Sequence, residues 1–174
     1  MTEAVELWLV RHAEARDARP GESDAARALT ERGVRGARRL RRALRRLGAS
    51  FDRLDHSPLL RAVETADVLA PLASATRVNA GLAREPGPEF LSDLASEVAR
   101  SHVARLALVG HEPWLGQLAF WLVSGWSVRE PARQPAWLAL EKGGALRLRG
   151  EIAPGRMRLE HALDSETVRA LARR

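Results

Sequence analysis

The stretch Val5-Glu6-Leu7-Trp8-Leu9-Val10, followed directly by Arg11-His12-Ala13-Glu14, decides how the rest of the chain is read. Its short apolar run of strand-favouring residues predicts a buried β-strand. The abrupt change to arginine and histidine sets charged and proton-transferring side chains just past the strand's carboxyl end. In open α/β sheets that is where ligands bind.

Outward from this strand, Ala37, Leu40, Leu44 and Leu47 recur at helical spacing, with Thr30 as cap and Gly48 as stop, predicting a helix from Thr30 to Leu47. Phe51 to His56 is a second strand candidate. A helix starting at Ser57-Pro58 and ending near Ala70, before Pro71, follows it. Thr76 to Asn79 is a third strand, Glu89 to Arg100 a helix, and Leu106 to Val109 a buried strand ending in Gly110-His111-Glu112-Pro113. Beyond a helix from Trp114 to Ser124, Ala136 to Glu141, Ala145 to Arg149 and Arg156 to Glu160 read as strands. Lys142-Gly143-Gly144 turns the first two into a hairpin, and a last helix begins at Ser165. Strands alternating with helices, then a closing hairpin, predict a three-layer α/β/α fold with a mostly parallel central sheet and an antiparallel edge. Without repeats or a linker, residues 1–174 are expected to form a single domain.

The chain has no cysteine, which excludes disulfides, thiolate metal sites and thiol nucleophiles. Its 28 basic residues against 22 acidic ones give a net charge of +6, and Lys142 is the sole lysine. Arginine grips phosphate and carboxylate through a planar fork, so the bias points to anionic partners without choosing among them. The acidic start Met1-Thr2-Glu3 has no secretion-signal character, and Pro113 to Val128, the longest uncharged stretch, is too short and interrupted to span a membrane. A cytoplasmic protein is expected.

The three strongest strand ends share one chemistry. They deliver Arg11 with His12, Ser57 with Arg61 one helical turn beyond, and His111. Phosphoryl transfer needs an in-line nucleophile and cations around the equatorial oxygens. A neutral imidazole can attack phosphorus, two arginines can hold the oxygens, and a second histidine can donate to them when protonated. This set requires no metal or cofactor.

Three blocks, Leu9-Val10-Arg11-His12-Ala13-Glu14, Ser57-Pro58-Leu59-Leu60-Arg61-Ala62-Val63-Glu64-Thr65-Ala66 and Leu108-Val109-Gly110-His111-Glu112-Pro113, together with the helix entry Leu29-Thr30-Glu31-Arg32-Gly33, resemble the histidine phosphatase, or phosphoglycerate mutase-like, superfamily. The small size, Ala13 and the His111-Glu112-Pro113 ending look most like its SixA-like phosphohistidine phosphatases. The resemblance implies that His12 becomes phosphohistidine, that Arg11 and Arg61 clamp the phosphate, that His111 is the second pocket histidine and that Ser57 shapes the pocket. Larger members take a proton donor from the segment after the third strand. Here that segment offers Glu85.

The resemblance thus implies a phosphatase acting on a phosphorylated protein, with a small-molecule sugar or nucleotide phosphatase as one alternative and a noncatalytic phosphate- or nucleic-acid-binding module as another. His56, beside Ser57, is a secondary candidate for the pocket lining. His102 and His161 lie outside it, and Glu14 is expected to orient its neighbours. Arg35, Arg38, Arg39, Arg41, Arg42, Arg45 and Arg46 form one arc opposite the apolar stripe. Lacking interleaved aromatics, that arc reads as a solvated face with no specific nucleic-acid or membrane partner. Trp114, Phe120 and Trp121 are expected in the core, with Trp126 and Trp137 as candidates for the rim.

Overall fold

A computed structural model describes residues 4–125 and 139–173. Its strands are β1 (Val5–Arg11), β2 (Arg53–His56), β3 (Thr76–Val78), β4 (Arg105–Gly110), β5 (Ala145–Gly150) and β6 (Met157–Leu163), and its helices are α1 (Glu31–Arg46), α2 (Leu60–Leu69), α3 (Pro88–Arg100), α4 (Trp114–Ser124) and α5 (Ser165–Arg173). Among the described residues they form one sheet in the order β3-β2-β4-β1-β5-β6. The pairs β1/β4, β2/β4 and β2/β3 are parallel; β5 runs antiparallel to both β1 and β6. This is the three-layer fold expected from the sequence.

The side-chain alternation of the central strands divides the interior in two. Leu7 and Leu9 of β1, with Leu106 and Leu108 of β4, face a core completed by Leu91, Leu94 and Val98 of α3 and Leu115, Leu118 and Leu122 of α4. Trp8 and Val10, with Ala107 and Val109, face the opposite core against Leu40 and Leu44 of α1, Ala62, Ala66 and Leu69 of α2 and Val168 of α5. Both faces of β1 and β4 are therefore covered, which is why these strands read as nearly continuous apolar runs.

Several boundaries differ from the sequence reading. Helix α2 begins at Leu60, because the Ser57 N–H still donates to the Val109 carbonyl at 3.0 Å and so continues the sheet. Phe51 stands outside β2, making an isolated bridge to Ala73. Of the strand expected over 136–141, residues 136–138 lie outside the described residues, as do Trp126 and Trp137, and 139–141 are not strand. There the Leu140 peptide is held by side chains: its N–H donates to Glu112 Oε1 at 3.0 Å and its carbonyl accepts from Arg11 at 2.8 Å. The hairpin is instead β5/β6, closed through residues 151–156, and β6 extends to Leu163. No described helix is long and apolar enough to cross a membrane.

Candidate active site

Register brings the strand ends together. In the parallel ladder Arg11 pairs with Gly110 and His56 with Val109, so β1, β2 and β4 stop at one level. The next residues, His12, Ser57 and His111, then lie side by side, and the two imidazole centroids are 5.1 Å apart. All three side chains are buried, together with Arg61 from the first turn of α2.

Each group is held by identifiable contacts. His12 Nδ1 lies 2.7 Å from the Ala13 carbonyl, and because a carbonyl only accepts, Nδ1 carries the proton and the lone pair is on Nε2. Burial, with the Arg61, Arg11 and Lys142 charges adding to it, pushes the His12 pKa down to about 4. Near neutral pH the ring is therefore uncharged, as a nucleophile must be. His111 Nε2 sits 2.8 Å from the Ser57 hydroxyl, which also accepts the Leu59 N–H, and Trp114 meets the His111 ring edge-on at 6.1 Å. Burial and the neighbouring His12 lower its pKa to about 3.

Arg61 spends its fork on one residue, donating to the Asp24 carbonyl at 2.8 Å and to Asp24 Oδ2 at 2.9 Å. Hydrogen bonds from Arg27 and from Arg61 hold the Asp24 carboxyl below its usual range. Arg11 reaches the Leu140 carbonyl, whose peptide is bracketed from the other side by Glu112, a carboxyl that burial pushes up.

The described structure thus brings together His12, Ser57, Arg61 and His111, with Arg11 entering the same strand end. Glu85 is exposed and makes no hydrogen bond or ion pair among the described residues. His56 is buried with its Nδ1 3.0 Å from the Ser57 carbonyl. Trp114 is only half-buried and belongs against His111 rather than in the core; Trp121 is buried in the core, and Phe120 is partly buried against that core. Most of the arginine arc is exposed, as expected; Arg39 and Arg41 are half-buried, and Arg41 donates to the Val68 carbonyl.

Three supporting residues escaped the sequence reading. Asp24 meets Arg61 from 37 positions away, with no local pattern to announce it. Thr65 accepts the Ala13 N–H at 3.0 Å while donating to the Arg61 carbonyl at 2.7 Å, so one hydroxyl ties the histidine loop to the arginine helix. Its spacing of four from Arg61 was the available signal. Glu64 accepts the Leu29 N–H at 2.6 Å and secures the entry to α1.

Comparison with known proteins agrees with this geometry. The sequence profile of the histidine phosphatase superfamily (branch 1) matches residues 7–83. An uncharacterized protein of Picosynechococcus sp. is 34% identical over 165 residues, covering 93% of each chain. The chain belongs to the histidine phosphatase superfamily. Among solved structures, the protein histidine phosphatase SixA complexed with tungstate superposes with a TM-score of 0.77 at 20% identity, covering 94% of this chain and 99% of that one. The alpha-ribazole phosphatase of Shigella flexneri superposes with a TM-score of 0.67 at 18% identity, covering 92% and 97%. At these identities both likenesses speak to the fold.

Proposed function

We propose that this histidine phosphatase hydrolyses phosphohistidine on a protein through a covalent intermediate on His12. The observation that carries the reading is the buried His12 ring, its Nδ1 committed to the Ala13 carbonyl, 5.1 Å from the His111 ring and within reach of the Arg61 and Arg11 charges. Nε2 of His12 attacks phosphorus as the bond to the leaving imidazole breaks, and water then attacks phospho-His12 to release inorganic phosphate. On binding, Arg61 turns donors from Asp24 and Arg11 from the Leu140 carbonyl to the transferring oxygens, which they hold together with His111, while Ser57 fixes the His111 ring.

The leaving group favours a phosphoramidate. General acid catalysis contributes typically 10²–10⁴-fold, and an alkyl ester needs it more than an imidazole does. Glu85, exposed and without a contact to the site, offers little help, so phosphomonoesters should be slow substrates. The second reading, a small-molecule phosphomonoesterase, draws on the shared fold with the Shigella enzyme. It requires Glu85 to act as proton donor, and Glu85→Gln would then selectively abolish ester turnover.

Rapid quench with a radiolabelled phosphoramidate tests the covalent step. The wild type is expected to carry acid-labile, base-stable label that His12→Ala lacks; an unlabelled wild type, or equal label in His12→Ala, would overturn the mechanism.

A further inference from the structure

A second cleft of about 270 Å³ opens on the other side of the histidine loop, between that loop, α1, the turn at 141–143 and the start of α5. Its floor is the α1 backbone, where a Cβ added at Gly36 would meet nothing within 4 Å. Its wall is shared with the catalytic centre: Ala13 and Glu14 line it, and Gly143 donates its N–H to the Arg11 and His12 carbonyls at 3.2 and 3.1 Å.

Four cations line this cleft against two carboxylates, and the carboxylates are already occupied. Glu14 accepts the Thr30 hydroxyl at 2.8 Å and pairs with Arg32 at 3.5 Å, while Glu141 accepts the Ser165 N–H at 3.1 Å. Arg169 is tied to the Ser165 carbonyl and hydroxyl. Arg39 and Lys142 have no side-chain partner among the described residues, and they enter the cleft from two different elements. The Lys142 charge is also among those that act on His12, so the cleft and the reacting centre share one electrostatic neighbourhood.

We propose that this cleft is a docking subsite for acidic side chains of the protein substrate, with Arg39 and Lys142 pairing with Asp or Glu residues near the phosphohistidine. The proposal rests on the phosphoprotein reading above. Charge complementarity selects an anionic segment, and the lack of any aromatic side chain among the described residues of the lining argues against stacked nucleic-acid bases. It also gives part of the arginine arc a function.

The direct test is binding of an unphosphorylated peptide with three glutamates beside a histidine, followed by amide chemical shifts in the full chain at low salt. The Gly36 resonance is expected to move, a peptide with glutamines in place of the glutamates to leave it in place, and Arg39→Glu to weaken binding about fivefold, the scale of one exposed ion pair. No response at Gly36, an equal response to the glutamine peptide, or a stronger response to single-stranded DNA overturns the proposal. Turnover separates it from the phosphatase reading. Arg39→Glu should lower kcat/KM for an acidic phosphohistidine peptide through KM and leave phosphoimidazole hydrolysis unchanged. Failure of any phosphoramidate to label His12 strikes the catalytic reading alone, since the binding readout needs no chemistry.

Discussion

His12 shows how burial sets chemistry at the scale of one residue. An imidazole with an ordinary pKa of 6.5 would be partly charged in mildly acidic water, whereas here it titrates at about 4, with His111 at about 3. The unfolded chain takes up these protons near pH 6.5 and the folded chain does not until far lower, so stability is unaffected above the unfolded value and declines as pH falls from about 6.5 toward 4. At about 1.4 kcal/mol per pH unit, the His12 shift alone is worth on the order of 3 kcal/mol. Urea melts at pH 7 and pH 4.5 should show this loss, and His12→Gln should flatten the dependence. An identical slope in that variant would refute the assignment. His12 and His111 were legible in the sequence because each follows a readable strand. Their depressed pKa values were not, since these arise first from burial between packed elements and then from charges such as Arg61, brought in from a different segment.

The first turn of α1 is where an element positions the site. Thr30 caps the helix by accepting the Gly33 N–H at 2.9 Å, and its own N–H donates to the Glu14 carbonyl at 3.0 Å. A Cβ on Gly33 would collide with that same carbonyl, so the glycine is required by close approach of the histidine loop to the helix. Gly33→Ala is therefore expected to displace the loop and reduce kcat, and to lower stability despite the roughly 0.5–1 kcal/mol that alanine contributes to helix propensity. Steady-state kinetics alongside thermal melting would reveal the displacement, and unchanged activity would count against it. The helix itself was plain from its apolar spacing. Its junction with the histidine loop was not, because that contact joins residues far apart in sequence.

Across the whole molecule, an ion-pair network with a buried end at Asp55 and Arg53 and a partly exposed end at Arg77 and Glu97 ties the sheet edge to the helix layer. Asp55 of β2 is fully buried and pairs with Arg53 at 3.0 Å and with Arg77 of β3 at 2.9 Å, while Glu97 of α3 pairs with both arginines. Removing Asp55 leaves buried Arg53 with Glu97 alone, while Arg77 keeps Glu97 and access to water, so the cost approaches that of a broken buried pair, about 3–5 kcal/mol, only through Arg53. Asp55→Ala should therefore lower stability to denaturant on that scale, with Asp55→Asn intermediate. A loss below about 1 kcal/mol would show that Arg53 reaches water instead.

The layered α/β architecture is legible along the chain, since apolar runs of strand length alternate with helix-length stripes, and so are His12, His111, Arg11, Arg61 and Ser57 as residues gathered at strand ends. What surrounds them comes from folding: Asp24 against Arg61, Thr65 beneath Ala13, Leu140 between Arg11 and Glu112, and the cationic cleft behind the histidine loop. Periodicity and strand-end position are local properties that a linear reading can follow. Strand register and loop closure bring distant residues within hydrogen-bonding distance, and that proximity is set only when both cores close around the sheet.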